Sequence, residues 1–502
     1  MKILVANPPG LKVNADGTYT RYIKAGSRWS MSVGKKIVEN KMPAYLPFPF
    51  FLAYTSSLLK SQKIAEVKGV DGVALGLSDE RFLDFVRAYS PDLLVIETPT
   101  VTIRDDLLLA KRVKDNTGAR IVVTGFHVSA LPKETMVQAS WIDFCCIGEY
   151  EETVLELVQA LEEDKPLGSV AGLVWRDGSI VHTNPRRALI DVNTLPWPDR
   201  EDFPPRRYRD FTFREPCVQI VSSRGCPSSC IFCQERWVLY NSPVYRRRDA
   251  KNVVDEMEFC IQRYGAKQFY FDDMSIVVSK KHVLEICNEI LRRGLDIPWT
   301  CMGDAMYVDR ETLLKMRSAG CIGMKYGVET ANPEILAKIG KPLKLEKVRE
   351  VNRWLKELGI WSHATFTMGL PGENRQHIEK TIKFALELAS DSVQFSIAIP
   401  FPGTPFYKWA DQQGYLLTKD WCMYDGSCSR VLSTPEISAS ALEELLMKAN
   451  ETWWRSRYTG SLSYVIRNPI ESLRMMMHRV HREGVFLTVR FIGKSFARGI
   501  KR

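Results

Sequence analysis

The sequence predicts an α/β protein made of two successive strand–helix series and a mainly helical carboxy-terminal extension. Three observations carry this. Short apolar runs alternate with helical periods over residues 1–165, the pattern of a doubly wound parallel sheet. A second alternation of six strand–helix units runs over 211–405, as in a barrel or part of one. The 502 residues exceed what one ordinary core organises.

In the first series, strands are expected at KILVANPP, KIAEVKGV, DLLVIETPT, RIVVTGFH and FCCIGE, with helices near 48–60, 79–89, 104–116 and 150–162. Ligands of such sheets lie beyond the carboxyl ends of the strands. Those ends carry Asn7, Pro8 and Pro9, then Thr98, Pro99 and Thr100, then Gly125 and His127, and finally Gly148 and Glu149. Small, polar and turn-forming residues of this kind let backbone approach a large ligand. No GxGxxG follows the first strand, which argues against a dinucleotide. Residues 166–210 form a connector, with a hairpin at AGLVWRDGSIVHT turning on Asp-Gly, then a Pro- and Arg-rich stretch.

In the second series, strands are expected at 218–224, 267–272, 298–303, 321–328, 361–368 and 392–399. Chemistry belongs at their carboxyl ends, and the first is followed by SSRGCPSSCIFCQER, with Cys226, Cys230 and Cys233 spaced CxxxCxxC. Gly225 and Pro227 favour a tight turn. A closed zinc site needs a fourth ligand, and none stands at matching spacing. An iron–sulfur cubane held by three thiolates leaves one iron open to a small molecule. Cys145, Cys146, Cys260, Cys287, Cys301 and Cys321 lie in apolar or helical surroundings and read as small core residues.

The cysteine loop resembles that of the radical S-adenosylmethionine (SAM) enzymes. FYFDDMS, AGCIGMKYGVETANPEILAKIGK, TFTMGLPGE and IPFPGTPFY resemble the barrel motifs of the subgroup with an amino-terminal, Rossmann-like cobalamin-binding domain. The domain order is also similar to that of the anaerobic magnesium-protoporphyrin monomethyl ester cyclases.

The resemblance implies a [4Fe-4S] cluster on Cys226, Cys230 and Cys233, and SAM against Phe232, Asp272, Asp273, Glu329, Gly369 and Pro371. It implies a partial (β/α)6 TIM barrel at 211–405 behind a cobalamin domain at 1–165. Asp272 and Asp273 could instead cap the following helix, and Glu329 could pair with a nearby Lys. None of the seven histidines fits DxHxxG, so no protein imidazole is predicted on cobalt, and His127 reads as a satisfied loop histidine. The implied activity is C-methylation of an unactivated carbon by way of cobalamin; oxidative cyclisation, or radical chemistry without functional cobalamin, are the alternatives. An electron donor such as flavodoxin or ferredoxin is implied. Substrate-facing candidates at later strand ends are Asp304, Tyr326, His363, Thr365 and Gln394.

Net charge is +10, from 69 basic and 59 acidic residues. From Glu451 onward, eleven Lys or Arg stand against three Glu, so +8 falls in the last 52 residues. Basic residues interleaved with Met and aromatics there, in a carboxy-terminal region of 406–502, predict peripheral membrane contact and a lipid-like substrate, with a solvated basic helix as the alternative. No nucleic-acid motif accompanies the charge. Neither an export signal nor a membrane-spanning helix is predicted, Pro43, Pro47 and Pro49 interrupting the longest uncharged stretch, which places the protein in the cytoplasm.

Overall fold

The computed structural model describes residues 1–13, 19–26, 31–32, 45–426 and 430–458. The basic segment from 459 onward lies outside the described residues, and no described helix is long and apolar enough to cross a membrane.

The first sheet contains β1 (Lys2–Asn7), β2 (Glu66–Asp71), β3 (Leu93–Glu97), β4 (Arg120–Thr124), β5 (Phe144–Cys146), β6 (Leu173–Asp177) and β7 (Ile180–Thr183). Their order is β7-β6-β5-β4-β3-β1-β2, with β1 to β5 mutually parallel. Successive side chains face opposite sides of a strand. Ile3, Val5, Leu93 and Val95 therefore enter one core layer, under helices Phe50–Gln62 and Glu151–Glu162. Leu4, Ala6, Leu94 and Ile96 enter the other, under Asp79–Tyr89 and Ile103–Thr117. Both faces are covered, which is why the strands read as unbroken apolar runs.

The hairpin read as part of the connector is the β6–β7 pair, which extends this sheet: β6 lies antiparallel to β5 with Phe144 opposite Trp175. Its alternating pattern marks it as an edge, and an edge strand pairs readily with the sheet beside it.

The second sheet, β8 (Cys217–Ile220), β9 (Gln268–Phe271), β10 (Trp299–Gly303), β11 (Cys321–Glu329), β12 (Trp361–Met368) and β13 (Ser392–Ile397), is parallel throughout and ordered as in the sequence. Helices between the strands wrap its outer face around one core containing Phe269, Trp299, Met324 and Phe366. Each fully buried side chain of this size contributes roughly 1.5–3 kcal/mol over leaving it exposed. The expected strand at 218–224 is split: after Ile220 the chain leaves the sheet, and Ser223–Arg224 pairs with Arg246–Arg247 as a separate antiparallel ribbon. Helix Ala439–Tyr458 packs on helix Arg375–Leu388 and on β13.

Candidate active site

The ribbon delivers the cysteine loop beyond the carboxyl end of β8. Asp273, just past β9, anchors its approach: the carboxylate accepts from the Ser222 N–H at 3.1 Å, from Ser222 Oγ at 2.9 Å and from Ser223 Oγ. The capping role considered for the Asp pair falls instead to Ser279, whose side chain accepts from the His282 N–H. Gly225 has φ +90°, and a Cβ there would lie 2.0 Å from the Val244 carbonyl oxygen. No side chain fits at the turn into Cys226.

Further hydrogen bonds fix the loop. Ile231 N–H donates to Ile339 O at 3.0 Å, Phe406 N–H to Ile231 O at 3.1 Å, Trp237 Nε1 to Cys230 O at 2.9 Å and Cys233 N–H to Cys230 O at 3.1 Å. Phe232 is buried in the barrel core. The three cysteines are half-buried. Burial pushes all three thiols up, Cys230 to about 12, while the Lys341 cation pulls Cys226 and Cys230 back. A metal centre would therefore displace protons as it binds.

Among the described residues no three His, Cys, Asp or Glu side chains close on a single point. A cubane asks for something else, one thiolate on each of three iron corners. Three thiols on a bonded loop, entered through a turn with no room for a side chain, fit that donor set.

Around the loop stand the carboxyl ends of the later strands. Asp304 follows β10, and Glu329 ends β11 in the left-handed region at φ +67°, after a register irregularity against β12. Such backbone costs about 1–3 kcal/mol and persists where surroundings impose it. Here they do: Lys341 Nζ donates to Glu329 Oε1 and to Gly327 O, both at 2.9 Å, and lies 3.6 Å from Asp304 Oδ2. Thr367 Oγ1 donates to Glu329 Oε2 at 2.9 Å. Burial alone would lower the Lys341 pKa, but the Glu329 and Asp304 carboxylates outweigh it and hold it well above its ordinary value. The Lys foreseen as a partner for Glu329 is thus Lys341, the last residue of the quoted motif.

Gly369 and Pro371 form a turn closed by Glu373, which accepts from the Gly369 N–H at 2.9 Å and the Leu370 N–H at 3.1 Å. Its other oxygen accepts from Thr330 Oγ1 at 2.8 Å, tying this turn to the end of β11. Burial raises the Glu373 carboxyl to about 7. Sequence reasoning missed Glu373, although it closes TFTMGLPGE.

The expected substrate residues divide. Asp304 stands at a strand end. Tyr326 is corrected: its hydroxyl donates to Asn352 Oδ1 at 3.1 Å, on the helix Leu345–Glu357, so it faces away from the interior. Its neighbour Lys325 faces in, paired with Asp210 and 5.0 Å from the Tyr270 ring centroid. His363, Thr365 and Gln394 lie within strands rather than at their carboxyl ends. His363 Nδ1 is 2.8 Å from Ser392 Oγ, and Thr365 stands beside Gln394 in the register.

At the first sheet, Asn7 Nδ2 donates to Asp71 Oδ1 at 2.9 Å, while buried Asn7 Oδ1 has no partner among the described residues. This leaves an acceptor at the strand end that suits an amide-bearing ligand such as a corrin. Lys24 Nζ donates to the Pro8 and Pro9 carbonyls at 3.2 and 3.3 Å. Thr98 Oγ1 donates to Thr124 O at 3.0 Å, and Pro99 precedes the turn Thr100–Thr102. His127 Nδ1 is 3.3 Å from Thr100 Oγ1, its ring edge-on to Trp421, and burial lowers its pKa to about 4. Gly125 opens the His127 turn with φ +101°.

The two units meet end to end. A cavity of about 40 Å³ at the junction is lined by Tyr54 and Glu97 from the first and by Arg224, Glu235, Tyr240 and Asp272 from the second. Glu97 accepts from the Tyr150 hydroxyl at 2.6 Å, and burial raises it to about 7. Glu149 accepts from Arg224 at 2.9 Å and from Arg246 at 2.7 Å. The partners of Arg224 and Tyr150 gave no signal in the sequence, because they are distant along the chain.

Residues 220–385 match the family model of the radical SAM superfamily. An uncharacterized methyltransferase of Pyrococcus horikoshii is 31% identical over 403 residues, covering 80% of this chain and 86% of that protein. The anaerobic magnesium-protoporphyrin IX monomethyl ester cyclase of Cereibacter sphaeroides is 28% identical over 375 residues, covering 72% of this chain and 60% of the cyclase. The radical SAM methyltransferase TsrM of Kitasatospora setae, solved with cobalamin and a [4Fe-4S] cluster bound, shares the fold at TM-score 0.66 and 18% identity, over 91% of this chain and 88% of TsrM. A cysteine loop at the end of the first barrel strand thus lies inside the matched region, and with a relative 31% identical over most of both chains the protein belongs to the radical SAM enzyme family.

Proposed function

We propose that the protein is a cobalamin-dependent radical SAM C-methyltransferase acting on an unactivated carbon of a small or lipid-like substrate. The observation that carries this is the meeting of two carboxyl-terminal faces: the cysteine loop beyond β8 abuts the segment Gly148–Glu151 beyond β5. A ligand on the first sheet would then face one in the barrel.

When bound, SAM and the reduced cluster supply a 5′-deoxyadenosyl radical, and cobalamin supplies the methyl group. Cys226, Cys230 and Cys233 hold the cluster. Glu329 and Asp272, with the Gly369–Pro371 turn and Phe232, bound the space for SAM, and Lys341 neutralises the buried carboxylates that face it. Asp273 acts one step back, holding Ser222 and Ser223 so that the loop keeps its approach. Asn7, Thr98, Thr100 and Gly125 shape the corrin side. His127 stays on Thr100 and Trp421 and gives cobalt no imidazole. Phe51, Tyr54 and Tyr240 around the junction exclude water, which a reactive radical requires.

Anoxic incubation with SAM carrying a trideuterated methyl group tests this. The expected result is 5′-deoxyadenosine together with label in bound cobalamin and in product. 5′-Deoxyadenosine with cobalamin bound and no label in any product favours the second reading, an oxidative cyclase, which the match to the cyclase over 72% of the chain supports. A wild-type protein that takes up no iron and sulfide rejects both.

A further inference from the structure

We propose that Arg224, Glu149 and Glu151 form a latch through which the amino-terminal unit positions the cluster loop. The inference rests on the cluster reading above and deepens it, giving a task to the side chains that join the two faces.

Arg224 stands two residues before Cys226. Its side chain is 4% exposed, and its guanidinium forks onto two carboxylates of the other unit: Nη1 to Glu149 Oε1 at 2.9 Å and Nη2 to Glu151 Oε1 at 2.7 Å, those side chains being 3% and 0% exposed. The same guanidinium lies over the rings of Phe51 and Tyr54, 4.8 and 5.0 Å from their centroids. Directly opposite Arg224 in the ribbon is Arg246, which donates to Glu149 Oε2 at 2.7 Å. The two ribbon strands that flank the loop are therefore tied to one carboxylate just beyond β5.

The loop's exit is held from the same side. Arg186 Nη2 donates to Val238 O at 2.6 Å and to Leu239 O at 2.8 Å, in the turn of helix after Cys233. Gly148, beside Glu149, packs so closely that a Cβ would lie 3.1 Å from Leu239 O. The loop is gripped before its first cysteine and after its last.

Burying charge pairs gains little stability over apolar packing. What a planar, two-pronged guanidinium supplies is direction. Both Glu149 oxygens are taken, Oε2 also accepting from the Ile190 N–H at 3.2 Å, so this residue works toward the loop. These are positioning residues, and partners that orient metal ligands typically matter 10–100-fold for metal retention.

The test uses full-length protein, reconstituted anoxically with iron and sulfide. Arg224→Lys keeps the charge and loses the fork. Arg224→Met combined with Glu149→Gln and Glu151→Gln removes these three charges together, and the amide oxygen then at position 149 can still accept from Arg246, whose side chain is 12% exposed. Asp106→Asn, which breaks the buried Lys24–Asp106 pair away from the loop, controls for general destabilisation. Iron release to a ferrous chelator and the low-temperature EPR spectrum of the reduced cluster are measured, with circular dichroism to verify folding.

Release about 10-fold or more faster in the triple variant, an intermediate rate for Arg224→Lys, altered EPR anisotropy in both and a wild-type rate in the control support the latch. Should the triple variant fail to fold, Arg224→Lys decides alone. Wild-type release and an unchanged spectrum in the folded variants overturn the latch while leaving the cluster intact. Wild-type protein that binds no iron and sulfide overturns the cluster reading itself, and the latch with it.

Discussion

Replacing Glu373 with Gln removes a buried acid that holds its proton to neutral pH. Burial raises this carboxyl from 4.5 to about 7 in the folded protein. Since a folded pKa above the unfolded one means that folding favours the protonated form, the stabilisation is fully present below about pH 4.5 and is lost as pH rises through about 7. At about 1.36 kcal/mol per unit, the shift corresponds to roughly 3 kcal/mol. Gln keeps an oxygen to accept from the Gly369 and Leu370 N–H groups and presents an amide N–H₂ to Thr330 Oγ1, so the same bonds form without charge. The stability of Glu373→Gln relative to wild type should therefore climb by roughly 3 kcal/mol between pH 4.5 and pH 8. Urea unfolding at a series of pH values measures it, and taking the difference cancels other groups, including Glu97, that titrate in the same range. Parallel stability curves, with a difference flat to about 0.5 kcal/mol, would refute the reasoning.

Gly225→Ala should abolish iron loading with all three cysteines intact, because the new Cβ meets the Val244 carbonyl at 2.0 Å in left-handed backbone; iron and sulfide assays after reconstitution check it. Lys341→Met should cost about 3–5 kcal/mol by leaving Glu329 buried without its cation, and adding Glu329→Gln should recover part of that loss. A strictly additive double-mutant cycle contradicts the pairing. A chain ending at 458 should pellet less with anionic vesicles than the full-length protein, each lost basic residue near the surface contributing about 1 kcal/mol. Equal pelleting removes the tail from membrane contact.

The strands were legible because both faces of a parallel sheet are buried, so Leu4, Val5, Val95 and Val122 announce themselves without regard to partners. The cysteine loop was legible because its three thiols lie within eight residues. Side chains that close over long sequence distances were not. Lys341 reaches Asp304, Glu373 reaches Thr330, and Arg224 reaches Glu149 and Glu151 only once the sheets exist. Tyr326 was misplaced because β11 carries mixed residues on both faces. Only the register irregularity beyond Gly327 and the inward Lys325 reveal which side lines the barrel.

The end-to-end seating of the two units bears on anyone wishing to recombine them. A chimera that grafts a foreign front half onto this barrel must import not just a matching surface but the residues equivalent to Gly148, Glu149, Glu151 and Arg186, since these touch the segments on either side of the three loop cysteines. Cutting at the hairpin's start would sever β6 from the sheet it completes; a crossover placed after Arg187 keeps the whole sheet and these four residues on one parent.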